Sequence, residues 1–238
     1  MAAAPAEDGS ADGLAAEHAA LHEVRERVMN VVGHALRTPM ATVRGQVEVL
    51  ARTADEAQRE QLVGGLLRTT RQLERLLDDV LVAAGIETRL PVRPPQDVRV
   101  TDVVQVVWAE QGSDRPLEVT GDPVATARVG PDALRWMLGH LIDNAVRYGH
   151  GPVEVGIRVL GDRTTVTVGG DGPDLAPGEL ANAFELFYRG HHAVMVAGAR
   201  MGVGLPVARR LAEHMGGTVT LESRRGGGTV AVATLPSS

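Results

Sequence analysis

Two stretches in the first third of the chain carry apolar residues at alternating intervals of three and four, and this spacing constrains the fold more than any other feature. It predicts helices with one apolar seam each. The first helix shifts phase near residue 35, and Asp55 is a suitable N-cap for the second. The seam residues are Leu21, Val24, Val28, Val31, Ala35, Leu36, Met40, Val43, Val47 and Leu50, then Leu62, Leu66, Thr69, Leu73, Leu76 and Val80.

We predict that the two helices form a hairpin over residues 14–88, preceded by a disordered segment of small and polar residues at 1–13. A single hairpin leaves apolar side chains such as Leu67, Leu77 and Leu81 uncovered. Pairing two hairpins into a four-helix bundle would bury them, so a homodimer is expected. A monomeric hairpin packed against the rest of the chain is the alternative.

One histidine, His34, lies beside the first seam, and Pro39 follows it by about one turn. Proline removes a backbone donor and crowds the preceding turn, so we expect the helix to bend there. Taken alone, His34 is equally consistent with an ordinary surface residue.

Beyond a proline-rich linker at residues 89–96, the pattern changes to mixed strand and helix. The predicted order favours a mixed, largely antiparallel sheet with helices on one face, over residues 97–238. The predicted strands are 97–100, a pair at 117–119 and 125–129, a hairpin of 153–159 and 164–168, and a hairpin of 218–222 and 229–235. The predicted helices are 101–111, 131–148, 177–187 and 205–215.

Composition excludes several functions. The formal net charge of −6 argues against a nucleic-acid partner. The chain has no cysteine, which excludes disulfides and thiolate chemistry, and its 24 basic residues are all arginine. Apolar runs are too short to span a bilayer, and no signal segment opens the chain, so we predict a cytoplasmic location.

The string GHALRTPM at residues 33–40 resembles the phospho-acceptor box of sensor histidine kinases, in which histidine, an acidic residue, leucine, arginine, threonine and proline follow one another. Five of those six positions match. The resemblance implies that His34 is the phospho-acceptor and that Thr38 helps to orient water when a partner's aspartyl phosphate is hydrolysed. Ala35 stands where the family has the carboxylate that activates the histidine.

Two clusters further along resemble nucleotide-binding boxes of the same family. LIDNAVRY at 141–148 is similar to the asparagine box, which implies that Asn144 is a Mg²⁺ ligand and that Arg147 and Tyr148 belong to the nucleotide site. VGGDGPDL at 168–175 is similar to the first glycine box, and Gly172 matches one of its glycines. The departures are His140 at the first asparagine, Gly170 at the adenine-binding aspartate and Asp174 at the second glycine. A bulge near Gly170 would bring Asp171 to the aspartate's place.

Two more clusters complete the set. AFELFYRG at 183–190 is similar to the phenylalanine box and implies that Arg189 reaches phosphate, although a solvated surface arginine is an equal alternative. Gly202, Gly204 and Leu205 resemble the second glycine box, with Arg200 in place of its first glycine. Backbone amides at a helix N-terminus can bind phosphate.

The resemblance covers residues 20–236 and implies an ATPase domain of the histidine-kinase type, with ATP and Mg²⁺ as cofactors and a response-regulator receiver domain as partner. It implies a phosphorelay protein that autophosphorylates, or carries phosphate, on His34 and passes it to an aspartate. The substitutions leave a pseudokinase as the alternative. Such a protein would be a dimeric binding, phosphotransfer or phosphatase module with lost or weakened ATP binding. An ATP-using switch without histidine phosphorylation is a third hypothesis. Whether the chain is an enzyme therefore stays open.

Overall fold

The computed structural model describes residues 32–33, 35–86, 93–191, 201–224 and 227–238. His34, the predicted disordered segment 1–13 and residues 89–92 of the predicted linker lie outside the described residues. The chain divides into two compact units, the first ending at Glu74 and the second beginning at Arg75. Within the described residues, no helix combines the length and apolarity that a membrane crossing requires.

The first unit contains a helical hairpin. Residues 35–50 form α1, which continues through Pro39 without interruption, and α2 spans Glu56–Ala83, although its last turns belong to the second unit. The Asp55 carboxylate accepts a hydrogen bond from the Ala57 N–H at 3.0 Å, which confirms the predicted N-cap. The helices approach closely at the buried Gly65, where a Cβ would lie 2.9 Å from the Gln46 Nε2.

The second unit is built on a five-stranded sheet of order β2-β4-β5-β7-β6, in which only β2 and β4 are parallel. A separate antiparallel pair joins β1 to β3. The predicted mixed, largely antiparallel sheet is therefore confirmed. The strands are β1 (Gln96–Arg99), β2 (Leu117–Gly121), β3 (Thr126–Val129), β4 (Val153–Leu160), β5 (Arg163–Gly170), β6 (Thr218–Ser223) and β7 (Thr229–Pro236).

The helices pack on the face of the sheet that carries the buried strand residues. The core combines Val155, Ile157 and Val166 from the strands with side chains from the helices, such as Leu134 and Leu211. Val82, near the end of α2, belongs to the same core. The helices are α3 (Val100–Gln111), α4 (Pro131–Tyr148), α5 (Pro177–Asn182) and α6 (Gly204–His214).

Two local predictions were wrong. The predicted partners at 117–119 and 125–129 lie in different sheets, because β2 extends its ladder to β4, with the Asp122 N–H donating to the Ile157 carbonyl at 2.9 Å. The predicted helix 177–187 ends at Asn182. It cannot continue to Phe187, whose φ of +66° is incompatible with a right-handed helix and whose N–H donates to the Gly202 carbonyl at 3.0 Å.

Candidate functional site

A cavity of about 190 Å³ lies in the second unit, between α4, the ends of the sheet strands and the start of α6. Its wall includes eight of the nine residues predicted to bind a cofactor. They are Asn144, Arg147, Tyr148, Gly172, Arg189, Gly202, Gly204 and Leu205. Their roles in binding stay predictions, but the fold brings together four sequence clusters that are far apart in the chain.

Helix α4 contributes the polar side of the cavity. It begins at Pro131, a residue suited to the first helical turn, and ends at Tyr148. Asn144 and Arg147 lie on its last two turns and line the cavity, and the Arg147 Nη2 donates to the Asp143 carboxylate at 3.3 Å. The helix thus presents an amide oxygen and a guanidinium, groups that suit a hard cation and a phosphate respectively.

Arg115 holds the end of α4, a role that no sequence pattern indicated. Its Nη1 donates to three carbonyl oxygens, those of Ala145 at 2.9 Å, Val146 at 2.6 Å and Gly149 at 3.2 Å. Its Nε donates to the Gly151 carbonyl at 2.8 Å. Since the last carbonyls of a helix lack most of their partners within the helix, one arginine provides donors to the end of α4 and to the segment that follows it, beside the cavity.

The structure does not bring Asp171 to the cavity. Strand β5 stays in regular antiparallel register with β4 up to Gly170, which pairs with Val153, so the bulge that would bring Asp171 into place is not formed. The Asp171 side chain is 71% exposed, and its carboxylate lies 3.9 Å from the Arg224 guanidinium. A regular strand turns consecutive side chains to opposite faces, so Asp171 does not take the place of the aspartate.

Asp174, the second departure in this region, has a structural role. Its Oδ1 accepts a hydrogen bond from the Gly228 N–H at 2.7 Å, which ties the segment after β5 to the start of β7. Gly228 has a φ of +91°, a conformation that favours glycine. The carboxylate therefore stabilises the loop that frames the cavity.

The start of α6 forms a glycine turn beside the cavity. Gly202 has a φ of +73°, and a Cβ at this position would lie 2.4 Å from the Tyr188 carbonyl oxygen. Gly204 is the first residue of α6, and Leu205 follows it. Because the first amides of a helix lack acceptors within the helix, the N–H groups of this turn could bind an anion.

Asp79 forms a polar cluster with Trp136 and His140, and Asp79 and His140 lie in the cavity wall. The Asp79 Oδ1 accepts hydrogen bonds from the Trp136 Nε1 at 2.9 Å and the His140 Nε2 at 2.9 Å. Asp79 and His140 are each only 7% exposed. Sequence reasoning singled out His140 but missed Asp79. The available signal was a carboxylate in the apolar stretch LLDDVLVA at the end of α2.

Glu179 on α5 also lines the cavity. Its Oε2 accepts a hydrogen bond from the Ala176 N–H at 3.1 Å, and its Oε1 accepts one from the His191 N–H at 3.0 Å. The His191 Nδ1 lies 3.3 Å from the same Oε1. The bond from Ala176 first, and those from His191 next, hold the pKa of the Glu179 carboxyl below its ordinary value of 4.5.

In the first unit, Thr38 is exposed on α1, and its carbonyl accepts a hydrogen bond from the Thr42 hydroxyl at 3.3 Å. His34 lies outside the described residues, so its predicted role, and that of Thr38, stay predictions.

The two parts of the chain, a helical hairpin and an α/β sandwich, correspond to two known domain families. Residues 130–238 match the family model of the histidine kinase-, DNA gyrase B- and HSP90-like ATPase, and residues 24–89 match that of the His Kinase A phospho-acceptor domain. The chain belongs to the sensor histidine kinase family, as predicted. Its two domains are those of two-component phosphorelay proteins, and the second is of the ATP-binding type.

Two sensor proteins of similar sequence support this assignment. The chain is 32% identical over 219 residues to the sensor protein CutS of Streptomyces coelicolor, covering 89% of this chain and 53% of CutS. It is 30% identical over 226 residues to the sensor protein KdpD of Escherichia coli, covering 90% of this chain and 24% of KdpD. The chain therefore spans about a quarter to a half of the length of these relatives.

Solved structures share the fold. The histidine kinase AdeS of Acinetobacter baumannii matches with a TM-score of 0.56 and 20% identity, over 85% of this chain and 97% of AdeS. The crystal structure of full-length ShkA in complex with AMPPNP matches with a TM-score of 0.58 and 24% identity, over 90% of this chain and 46% of ShkA.

Proposed function

We propose that this chain is a homodimeric histidine kinase module that binds Mg-ATP in the cavity of the second unit and autophosphorylates on His34. The phosphoryl group then passes to the aspartate of a response-regulator receiver domain. The observation that carries the proposal is the convergence of Asn144, Arg147, Arg189 and the turn from Gly202 to Gly204 on one cavity. These groups have the chemistry that a metal-bound triphosphate requires.

In the proposed complex, the Asn144 side-chain oxygen is a ligand of Mg²⁺, a hard cation that takes oxygen ligands. The backbone amides at the start of α6 bind phosphate oxygens, and Arg147 and Arg189 neutralise their charge. Tyr148, Gly172 and Leu205 complete the wall around the nucleotide. Mg²⁺ would shield the phosphate charges during transfer.

The proposed transfer proceeds in two steps. The His34 Nε2 lone pair attacks the γ-phosphorus, the bond to the β,γ-bridging oxygen breaks and ADP leaves. Because Ala35 offers no carboxylate, the imidazole proton passes to solvent. A receiver aspartate then attacks the phosphorus, the bond between phosphorus and Nε2 breaks, and the imidazole leaves in its neutral form with a proton taken up from solvent. Thr38 is proposed to orient water when the aspartyl phosphate is hydrolysed.

Exposed apolar side chains on the first unit support a dimer. Met40, Val47 and Val49 on α1, and Val63 and Leu67 on α2, are all large hydrophobic residues exposed to solvent in the single chain. Pairing two hairpins would cover this surface. We therefore propose a dimeric four-helix bundle at residues 14–88. We also propose a linker at 89–96, an ATP-binding domain at 97–238 and a cytoplasmic location.

The environment of Gly170 favours a second candidate, a pseudokinase with weakened ATP binding. Gly170 carries no carboxylate for the adenine amino group, and Asp171 is exposed and does not line the cavity. A lost charge-assisted hydrogen bond costs about 1.5–3 kcal/mol, or roughly ten- to a hundredfold in affinity. This candidate retains the dimer and phosphotransfer from an external donor.

Calorimetric titration with ATP, with and without Mg²⁺, distinguishes the two candidates. The kinase proposal predicts saturable, Mg²⁺-dependent binding that Asn144→Ala weakens at least tenfold by removing a metal ligand. Gln105→Ala, an exposed change on α3, is the matched control and should bind as wild type does. Absence of saturable binding to a folded protein at millimolar ATP contradicts the kinase proposal and favours the pseudokinase.

A further inference from the structure

The last turns of α2 are part of the second unit's fold. Val82 is only 2% exposed and belongs to the core of that unit. Gly85 follows the helix with a φ of +81°, and a Cβ there would lie 3.6 Å from the Arg210 Nη2 of α6. The end of α2 therefore packs on the helices that build the cavity wall, and α2 itself continues back into the hairpin.

Asp79 is the polar link between this helix end and α4. A carboxylate oxygen only accepts hydrogen bonds, so both Trp136 and His140 donate to it, and the His140 Nε2 carries a hydrogen. Trp136 and His140 are four residues apart on α4, so they share one helix face. One buried carboxylate thus holds two side chains of α4 in fixed orientation.

The His140 side chain also lies close to the start of α6. A Cβ built on Gly204 would lie 3.3 Å from the His140 Nδ1 and 3.9 Å from its Cβ. Gly204 is the first residue of α6 and belongs to the turn that lines the cavity. The ring is therefore close both to Asp79 and to the glycine turn.

We propose that Asp79 is a positioning residue for the nucleotide site, acting through His140 on the glycine turn at Gly204. The packing of the end of α2 on the helices of the cavity wall and the affinity of the cavity for nucleotide are then coupled. Coupling between two binding events is reciprocal, so nucleotide in the cavity stabilises the docked end of α2. The inference rests on the proposed nucleotide binding, and it names a route by which the hairpin helix senses the state of the cavity.

The chemistry of the cluster explains why the coupling is strong. Removing Asp79 leaves two buried donors without their acceptor, and the His140 ring loses the contact that fixes its orientation. The glycine turn then loses its support from the ring. A coupling of typical size changes ligand affinity between about five- and 150-fold, and we expect about tenfold here.

The test uses the full chain with Mg-ADP as the probe. Asp79→Ala should raise the dissociation constant for Mg-ADP about tenfold, whereas Asp79→Asn, which keeps an acceptor oxygen, should restore most of the affinity. Glu74→Ala removes an exposed carboxylate from the same helix and is the matched control, with wild-type affinity expected. Calorimetry measures all four proteins.

Two further measurements report the reciprocal effect. Amide hydrogen exchange at residues 75–83 should slow when Mg-ADP binds wild type, and this response should be lost in Asp79→Ala. In a Trp108→Phe background, Trp136 is the only tryptophan, so its fluorescence reports on the bond to Asp79. A nucleotide-dependent change in that fluorescence is expected, and Asp79→Ala should abolish it.

The outcomes separate this inference from the proposed function. If wild type binds Mg-ADP but Asp79→Ala binds it equally well, or if nucleotide leaves exchange at residues 75–83 unchanged, the coupling is overturned and nucleotide binding stands. An Asp79→Ala variant with a lowered melting temperature and unchanged affinity also overturns it. If that variant does not fold, wild-type exchange with and without Mg-ADP decides. A wild type that binds no nucleotide overturns both.

Discussion

Gly170 pairs with Val153 in the regular ladder between β5 and β4, and it has no room for a side chain. A Cβ at position 170 would lie 2.6 Å from the Pro152 carbonyl oxygen. The position at which the family places an adenine-binding aspartate is thus closed to any side chain unless the backbone shifts. An aspartate placed at position 170 would therefore not fit without a shift of the backbone.

Gly170→Ala should destabilise the second unit by about 1–3 kcal/mol, because the added methyl group overlaps backbone that cannot move aside cheaply. Gly139→Ala is the matched control, since a Cβ at that helical glycine meets nothing within 4 Å. The control should be stabilised by about 0.5–1 kcal/mol through helix propensity. Urea unfolding of both variants measures the difference, and equal stabilities would contradict the crowding at position 170.

Nucleobase selectivity should be weak. A carboxylate that accepts from the adenine amino group discriminates adenine from hypoxanthine by about ten- to a hundredfold, the size of one charge-assisted hydrogen bond. With Gly170 at that position and Asp171 directed to solvent, we expect Mg-ADP and Mg-IDP to bind within about tenfold of each other. Competitive titration of the two nucleotides measures the ratio of their dissociation constants. A hundredfold preference for Mg-ADP would show that another group of the protein recognises the adenine amino group.

Arg115 should contribute more to the free energy of unfolding than any exposed ion pair does. It donates to four carbonyl oxygens around the end of α4, and a hydrogen bond to a charged donor contributes about 1.5–3 kcal/mol. Arg115→Ala should lower the free energy of unfolding by about 2–4 kcal/mol, and Arg115→Lys should recover only part of it because lysine lacks the planar fork.

Arg128→Ala is the comparison for Arg115→Ala, since Arg128 pairs with Asp97 at 3.1 Å on an exposed surface. Its loss should cost about 0–1 kcal/mol. Chemical denaturation of the three variants tests the order, and an Arg115→Ala protein as stable as Arg128→Ala would contradict the role of Arg115.

Glu179 should make stability depend on pH in the acid range. Its folded-state pKa is lowered, so its stabilising effect is full above the ordinary value of 4.5 and is lost as the pH falls through the folded-state value. The difference in unfolding free energy between wild type and Glu179→Gln should therefore be constant from pH 7 to about 5 and shrink below pH 4.5. A difference that grows on acidification would contradict the sign of the shift.

Features with local signals were predictable from the sequence. Pro131 at the first turn and the apolar spacing after it gave the bounds of α4, and the turn at Gly161, whose φ is +61°, gave the β4–β5 hairpin. The order of the nucleotide-binding clusters likewise predicted which residues line the cavity. Each of these depends on residues close together in the chain or on a recognised motif.

Features set by distant residues were not predictable. The pairing of β2 with β4 depends on which edge is open in the finished sheet, which local propensity does not encode. The direction of the Asp171 side chain depends on whether the ladder carries a bulge. The bond between Asp79 and His140 joins residues 61 positions apart, and a carboxylate near the end of a helix gives no indication of such a partner.

The most direct test of the account is phosphorylation of the full chain with γ-labelled Mg-ATP. We predict acid-labile, base-stable label on wild type, label that is absent from His34→Ala, and label that is transferred to a cognate receiver domain but not to its aspartate-to-asparagine variant. Slow labelling is expected, because Ala35 replaces a base that contributes about 10²–10⁴ in rate. A folded wild type that stays unlabelled while a control kinase labels, or a His34→Ala protein that labels equally, would contradict the assignment of His34.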